Sequence, residues 1–226
     1  MRLASLAPLC AALLGLLGLG CASAGEAVRA CPEGCPAGKS CVVGRCRAPD
    51  EPPSPTDTRR LFVPPAEVAV IASSAVGRSG APLPETLALG RAGDGTVELL
   101  LRFVAPFRDD ADVVSAFLVL DPLDGALPPE GGAPFETARI LDPWQAATVS
   151  WGRQPRLSLP KLAGVIRPRA GSPVRVDVTA LVRAWSERSP DDHGIALIVA
   201  GNDPVGGAYG MGITGGSGPR LEVYLR

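Results

Sequence analysis

Between Leu61 and Arg226 the apolar runs are short and closed off by Gly, Pro or Asp, which leaves stacked short strands as the way for this stretch to bury a core. Strands are expected near Val68–Ala72, Thr86–Leu89, Thr96–Val104, Val113–Leu120 and Phe135–Leu141. Further strands are expected near Ala147–Trp151, Val174–Val178, Ile195–Ala200, Ala208–Ile213 and Leu221–Leu225. In Leu99-Leu100-Leu101-Arg102-Phe103 the odd positions are apolar and Arg102 marks the other face, and Arg220 to Leu225 alternates in the same way. Only Thr179 to Arg188 carries helical spacing, with Thr179 as N-cap and Leu181, Val182 and Trp185 on one face. One short helix cannot supply the crossovers that parallel strands need. The segment 61–226 is therefore expected to be an all-β domain, an antiparallel β-sandwich with one short helix.

The N-terminus is of another kind. Met1-Arg2 precedes an uncharged Leu/Ala-rich stretch from Leu3 to Gly20, followed by Cys21-Ala22-Ser23-Ala24-Gly25. This is the layout of a signal peptide over residues 1–24, and no later apolar run is long enough to span a bilayer. Two processing routes fit it. Ala22-Ser23-Ala24 is a small-x-small site for cleavage before Gly25. Leu17-Gly18-Leu19-Gly20-Cys21 resembles a bacterial lipobox with Gly18 where Leu is usual; in that case the signal ends at residue 20 and Cys21 carries the lipid. The lipobox is preferred, which makes an outer-membrane or cell-surface lipoprotein the favoured expectation over a soluble periplasmic or secreted protein.

Within residues 25–46, Cys31, Cys35, Cys41 and Cys46 follow a C-x3-C-x5-C-x4-C pattern with Gly34, Gly38 and Gly44 in the gaps. A piece this short cannot bury a core and needs cross-links or a metal to hold a shape. A four-thiolate zinc site would want C-x2-C knuckles and a reducing compartment, and both spacing and export oppose it. Two disulfides are expected, with three connectivities open. Residues 47–60 turn to Pro, Asp, Glu, Ser and Thr, the composition of a semi-rigid polyproline linker.

With 22 basic and 23 acidic residues the chain has no basic field to draw nucleic acid. Gly210-Met211-Gly212-Ile213-Thr214-Gly215 matches G-x-G-x-x-G, but no helix follows it, and a glycine-rich connection is expected in place of a dinucleotide site. His193, the single histidine, stands in the polar turn Ser189 to Gly194 with no nucleophile elbow elsewhere, so no catalytic residue is assigned and the chain is expected not to be an enzyme. Asp109-Asp110-Ala111-Asp112 and Asp191-Asp192 are read as solvated turn acids. Calcium would need about six converging oxygens that the letters do not show, so no metal or cofactor is assigned.

Aromatic residues form 4% of the chain. Trp185 falls on the apolar helix face and Tyr224 in the last strand's alternation, positions of core packing. Trp144 and Tyr209 are the least constrained, and they are the candidate ligand-binding residues.

Seven segments follow one another across most of residues 61–226: Thr86 to Gly90, Leu99 to Phe103, Asp112 to Leu120, Trp144 to Trp151 with Pro155, Val176 to Trp185, His193 to Leu197, and Gly218 to Tyr224. This ordered set resembles the DNRLRE family, also called disaggregatase-related repeats, and related extracellular carbohydrate-binding modules. The resemblance implies a jelly-roll-like β-sandwich, secretion, and a role in glycan binding or surface attachment without catalytic residues. Val104 stands where the family usually has Asp, and Gln145 where Glu commonly follows the first Trp. The expected function is a non-catalytic binding module for polysaccharide, with a structural or protein-contacting envelope component as the alternative and a polysaccharide-degrading enzyme behind both.

Overall fold

The computed structural model describes residues 31, 34–42, 44–54, 58–75, 79–80, 82–92, 95–104, 111–122, 133–159, 161–166, 172–188, 193–199, 204–210 and 218–226. Among them β1 (Ser40–Val42) and β2 (Arg45–Arg47) form a hairpin, followed by β3 (Arg59–Val63), β4 (Glu67–Ala72), β5 (Thr86–Ala92), β6 (Gly95–Arg102) and β7 (Val113–Leu120). Then come β8 (Ala133–Arg139), β9 (Leu162–Ile166), β10 (Val174–Asp177), helix α1 (Thr179–Arg188), β11 (Ile195–Val199), β12 (Pro204–Gly210) and β13 (Arg220–Leu225). A four-stranded sheet has the order β10-β7-β13-β3. A seven-stranded sheet has the order β12-β5-β6-β11-β8-β9, with β4 also on β6. Every pairing is antiparallel, as one short helix requires.

The two-residue period of the strands decides what each sheet buries. Leu99 and Leu101 of β6, Ile195 and Leu197 of β11, Leu118 and Leu120 of β7, Val176 of β10 and Leu221 and Val223 of β13 form one cluster, none more than 1% exposed. Each such side chain contributes about 1.5–3 kcal/mol. Leu100 points the other way and joins Ala69, Ile71, Ile140, Trp144, Val149, Ala196 and Ile198 in a second cluster. β6 is thus buried on both faces, which is why its centre reads Leu-Leu-Leu without a polar break.

The segment from Leu141 to Leu157 covers that second face. Ala147–Trp151, expected as a strand, is a run of turns: the Gln145 carbonyl accepts from the Thr148 and Val149 N–H groups, so those donors are spent locally. Asp142 closes the base of the loop by accepting from the Arg156 guanidinium at 2.7 and 3.0 Å and from its backbone N–H at 2.9 Å. Glu67 of β4 accepts from the Ala146 N–H and pairs with Arg102, fastening the loop to the sheet.

Helix α1 buries Leu181, Val182 and Trp185 as expected, but Thr179 is not its N-cap. The Val178 carbonyl accepts the first helical bond, from Val182, and Asp177 accepts from the Thr179 N–H at 2.9 Å. The Thr179 hydroxyl instead accepts from the Ala116 N–H, docking the helix on β7. β3 begins at Arg59, inside the stretch read as linker, because its pairing with β13 outweighs two arginines at its start. β9 escaped notice because Ala163 and Gly164 dilute its apolar pattern. The described part of the linker is folded: Arg47, 9% exposed, donates to the Pro52 carbonyl at 2.6 Å, and the Thr58 hydroxyl donates to Ser54 at 3.2 Å.

Candidate ligand-binding face

Strand register assembles a row of side chains on the outer face of the four-stranded sheet. Asp177, Phe117, Glu222 and Phe62 lie side by side across β10, β7, β13 and β3, flanked by Arg175, Val119 and Arg220 on one side and by Ser115, Tyr224 and Arg60 on the other. Glu222 is 1% exposed and accepts from the Tyr224 hydroxyl at 3.1 Å and from Arg175 Nε at 3.3 Å. A buried carboxylate without such donors would cost several kcal/mol. Burial, and then the Glu222 charge, pushes the Tyr224 phenol above its ordinary range. Tyr224 meets Phe117 edge to face, with ring centroids 6.0 Å apart.

The centre of this face is withdrawn from solvent, and its β3 end is open. Phe117, Val119 and Tyr224 are buried, whereas Phe62 is 52% exposed. The Arg60 guanidinium sits over the Phe62 ring at 4.4 Å, an exposed cation–π contact worth about 0.5–1 kcal/mol. An exposed ring held by a neighbouring guanidinium is pre-positioned to stack on a flat apolar ligand face. The same guanidinium can donate hydrogen bonds to ligand oxygens.

The residues expected from sequence are placed as follows. Trp144 is 7% exposed and belongs to the cluster under the covering loop, its indole N–H donating to the His193 carbonyl at 2.8 Å. This corrects the expectation of an unconstrained ring: Trp144 is a core anchor with its polar atom already satisfied. Tyr209 lies on β12, opposite Leu87 of β5 and in the other sheet from Phe62, so register does not bring it near Trp144 or Phe62. Trp185 is buried against Phe103, and Trp151 packs at the rim of the covering loop. His193 acts through its backbone, accepting from Trp144 and donating to Ile140.

Cys31 is bridged to Cys41 and Cys35 to Cys46, which selects one of the three open connectivities. These bridges point to an oxidising, exported environment. Cys21, Asp109, Asp110, Asp191, Asp192 and residues 211–215 of the glycine-rich motif lie outside the described residues. Asp112 is described and accepts the Arg226 N–H through its backbone. Among the described residues no helix is long and apolar enough to cross a membrane.

A buried acidic side chain lies on the outer face of the seven-stranded sheet. Glu98 of β6 is 8% exposed, lies opposite Ile71 of β4, and neighbours the Glu136–Lys161 pair at 3.0 Å. Burial first, and then Glu136, pushes its carboxyl above the glutamate range against the pull of Lys161. The folded state therefore holds the Glu98 proton more tightly than the unfolded chain. Its contribution is full below the ordinary glutamate value and is lost as pH rises through the raised one. Glu98→Gln is expected to raise the melting temperature at neutral pH and to flatten the fall in stability between acidic and neutral pH. Thermal melts across that range check it, and a Gln variant less stable at neutral pH refutes it.

Phe62 was missed from sequence because it stood at the edge of an apparent linker. The only trace was the spacing of Arg60 and Phe62 by two, matching Glu222 and Tyr224, and the register that unites them is not written in either strand alone. Compared with known proteins, the chain matches no protein-family model and no curated protein.

Proposed function

We propose that this chain is a non-catalytic binding module for polysaccharide, working outside the cytoplasm, with the β3 end of the four-stranded sheet as its contact surface. The observation that carries the reading is Phe62, a half-exposed ring on a rigid strand, braced by Arg60 and backed by the Glu222–Tyr224–Arg175 network. The resemblance to DNRLRE and related carbohydrate-binding modules supports it, as does the signal-like N-terminus. Tethering through a lipid on Cys21 belongs to the same proposal: Cys21→Ala then moves the protein from the membrane to the soluble fraction, and an unchanged distribution counts against the anchor.

The test of binding is affinity electrophoresis against a panel of soluble polysaccharides. At least one is expected to retard the wild type, and Phe62→Ala is expected to weaken that binding about 5- to 30-fold, corresponding to roughly 1–2 kcal/mol of lost ring contact. No retardation by any polysaccharide would favour the structural reading. Loss in Tyr209→Ala with Phe62→Ala unchanged would overturn the placement on β3. Release of reducing ends from any member of the panel would replace the binding module by an enzyme.

A further inference from the structure

Resting on that reading of the β3 end, we propose that Tyr224 is a positioning residue of the glycan site: its hydroxyl, turned by Glu222, holds the Arg60 guanidinium over Phe62. Strand register builds the arrangement. Arg60 lies directly opposite Tyr224 and Phe62 directly opposite Glu222, so these four side chains form one block on the outer face of β3 and β13. The Tyr224 ring is the fixed member. It is buried and meets Phe117 edge to face, which leaves its hydroxyl one place to stand.

A phenolic hydroxyl both donates and accepts, whereas a guanidinium carries donors only. An oxygen that binds Arg60 must therefore accept, and its own proton must be spent elsewhere. Glu222 takes that proton at 3.1 Å, on the same oxygen, Oε2, that accepts from Arg175 Nε at 3.3 Å. Burial first, and then the Glu222 charge, lift the phenol above its ordinary range, while the hydrogen bond from Arg60 draws it down. Donation thus runs one way along the face, from Arg60 to Tyr224 and from Tyr224 to Glu222, with Arg175 donating to Glu222 from the other side.

Core packing alone does not call for these polar atoms. A phenylalanine at 224 beside an apolar residue at 222 would fill the same space, keep the contact with Phe117 and bury no carboxyl. What the polar pair adds is a fixed place for Arg60. A long, exposed side chain loses rotamer freedom by staying over a ring, and an exposed cation–π contact alone does not offset that loss. Bound to Tyr224 as well as lying 4.4 Å above Phe62, the guanidinium keeps one pose and still has N–H groups left for ligand oxygens.

The experiment compares the full chain as wild type, Tyr224→Phe, Arg60→Gln and the double variant, first without ligand. In a proton–nitrogen correlation spectrum of the arginine side chains, the Arg60 Nε–H proton is expected upfield of the others, shielded by the Phe62 ring, and is identified by its absence from Arg60→Gln. Tyr224→Phe is expected to move it back among the solvent-exposed arginines while the backbone amides of β7 and β13 keep their dispersion. With the polysaccharide that retards the wild type, Tyr224→Phe is expected to bind about 3- to 10-fold more weakly, the worth of one hydrogen bond. The double variant is expected to bind no more weakly than Arg60→Gln, because Tyr224 acts only through Arg60. A wild-type Arg60 signal already among the exposed arginines, a signal unmoved by Tyr224→Phe, or losses that add in the double variant would overturn the inference. A panel without any binding would bring down the polysaccharide reading alone, since the Arg60 signal is read without ligand.

Discussion

Gly194→Ala is expected to cost more than about 3 kcal/mol. Gly194 precedes β11 with φ +117°, a backbone region that L side chains rarely enter. A Cβ there would lie 2.1 Å from the Leu101 carbonyl oxygen and 3.1 Å from the Arg102 Cα, and neither is the end of a flexible side chain. Relief would require moving the β6–β11 pairing, in which Ile195 faces Leu101 at the centre of the main cluster. It would also disturb the bond from the Ile140 N–H to the Gly194 carbonyl, which anchors the covering loop's entry. For a domain of this size such a loss lowers the melting temperature by about 6–12 °C. A variant that melts with the wild type by circular dichroism would show that the β6–β11 approach is looser than described.

Trp144→Ala is expected to cost about 3–5 kcal/mol through the cavity it leaves between the covering loop and β4, β6 and β11. Trp144→Phe separates the two parts of that loss. It keeps most of the volume but leaves the His193 carbonyl without its donor, a penalty of about 1–3 kcal/mol. Both variants are expected to bind polysaccharide normally at temperatures where they remain folded, because the ring lies under the loop and not on the proposed face. Equal stability of Trp144→Ala and wild type would contradict the description of the loop as part of the core. Undisturbed stability with lost binding would restore Trp144 as a ligand contact.

The architecture was largely legible because period-two alternation is a local property of the letters. β7 was read with its full span, and β4, β6, β10, β11 and β13 within a residue or two at each end. Legibility failed where pairing partners decide. β3 opens with two arginines and takes its place through β13, and Ala147 to Trp151 has a strand's composition but spends its backbone donors on Gln145. The same limit governs the candidate site. Trp144 looked free because nothing next to it in sequence is apolar enough to bury it, while its partners Ala69, Leu100 and Ala196 come from three different strands. Phe62 and Glu222 are 160 positions apart and become neighbours through register alone. The evenness of the cysteine count predicted two bridges, and only the hairpin's register, with Cys41 opposite Cys46, shows why each of these reaches back to an earlier cysteine.

The most direct test of the functional account is an amide-resolved NMR titration of the oxidised protein with the polysaccharide fragment that binds best in the panel. The account predicts saturable shifts concentrated at Arg60, Phe62 and the adjoining Tyr224 and Leu225, with the covering loop around Trp144 unmoved. Shifts gathered instead on the loop or along β12, or no shifts at saturating concentrations of every fragment, would contradict it.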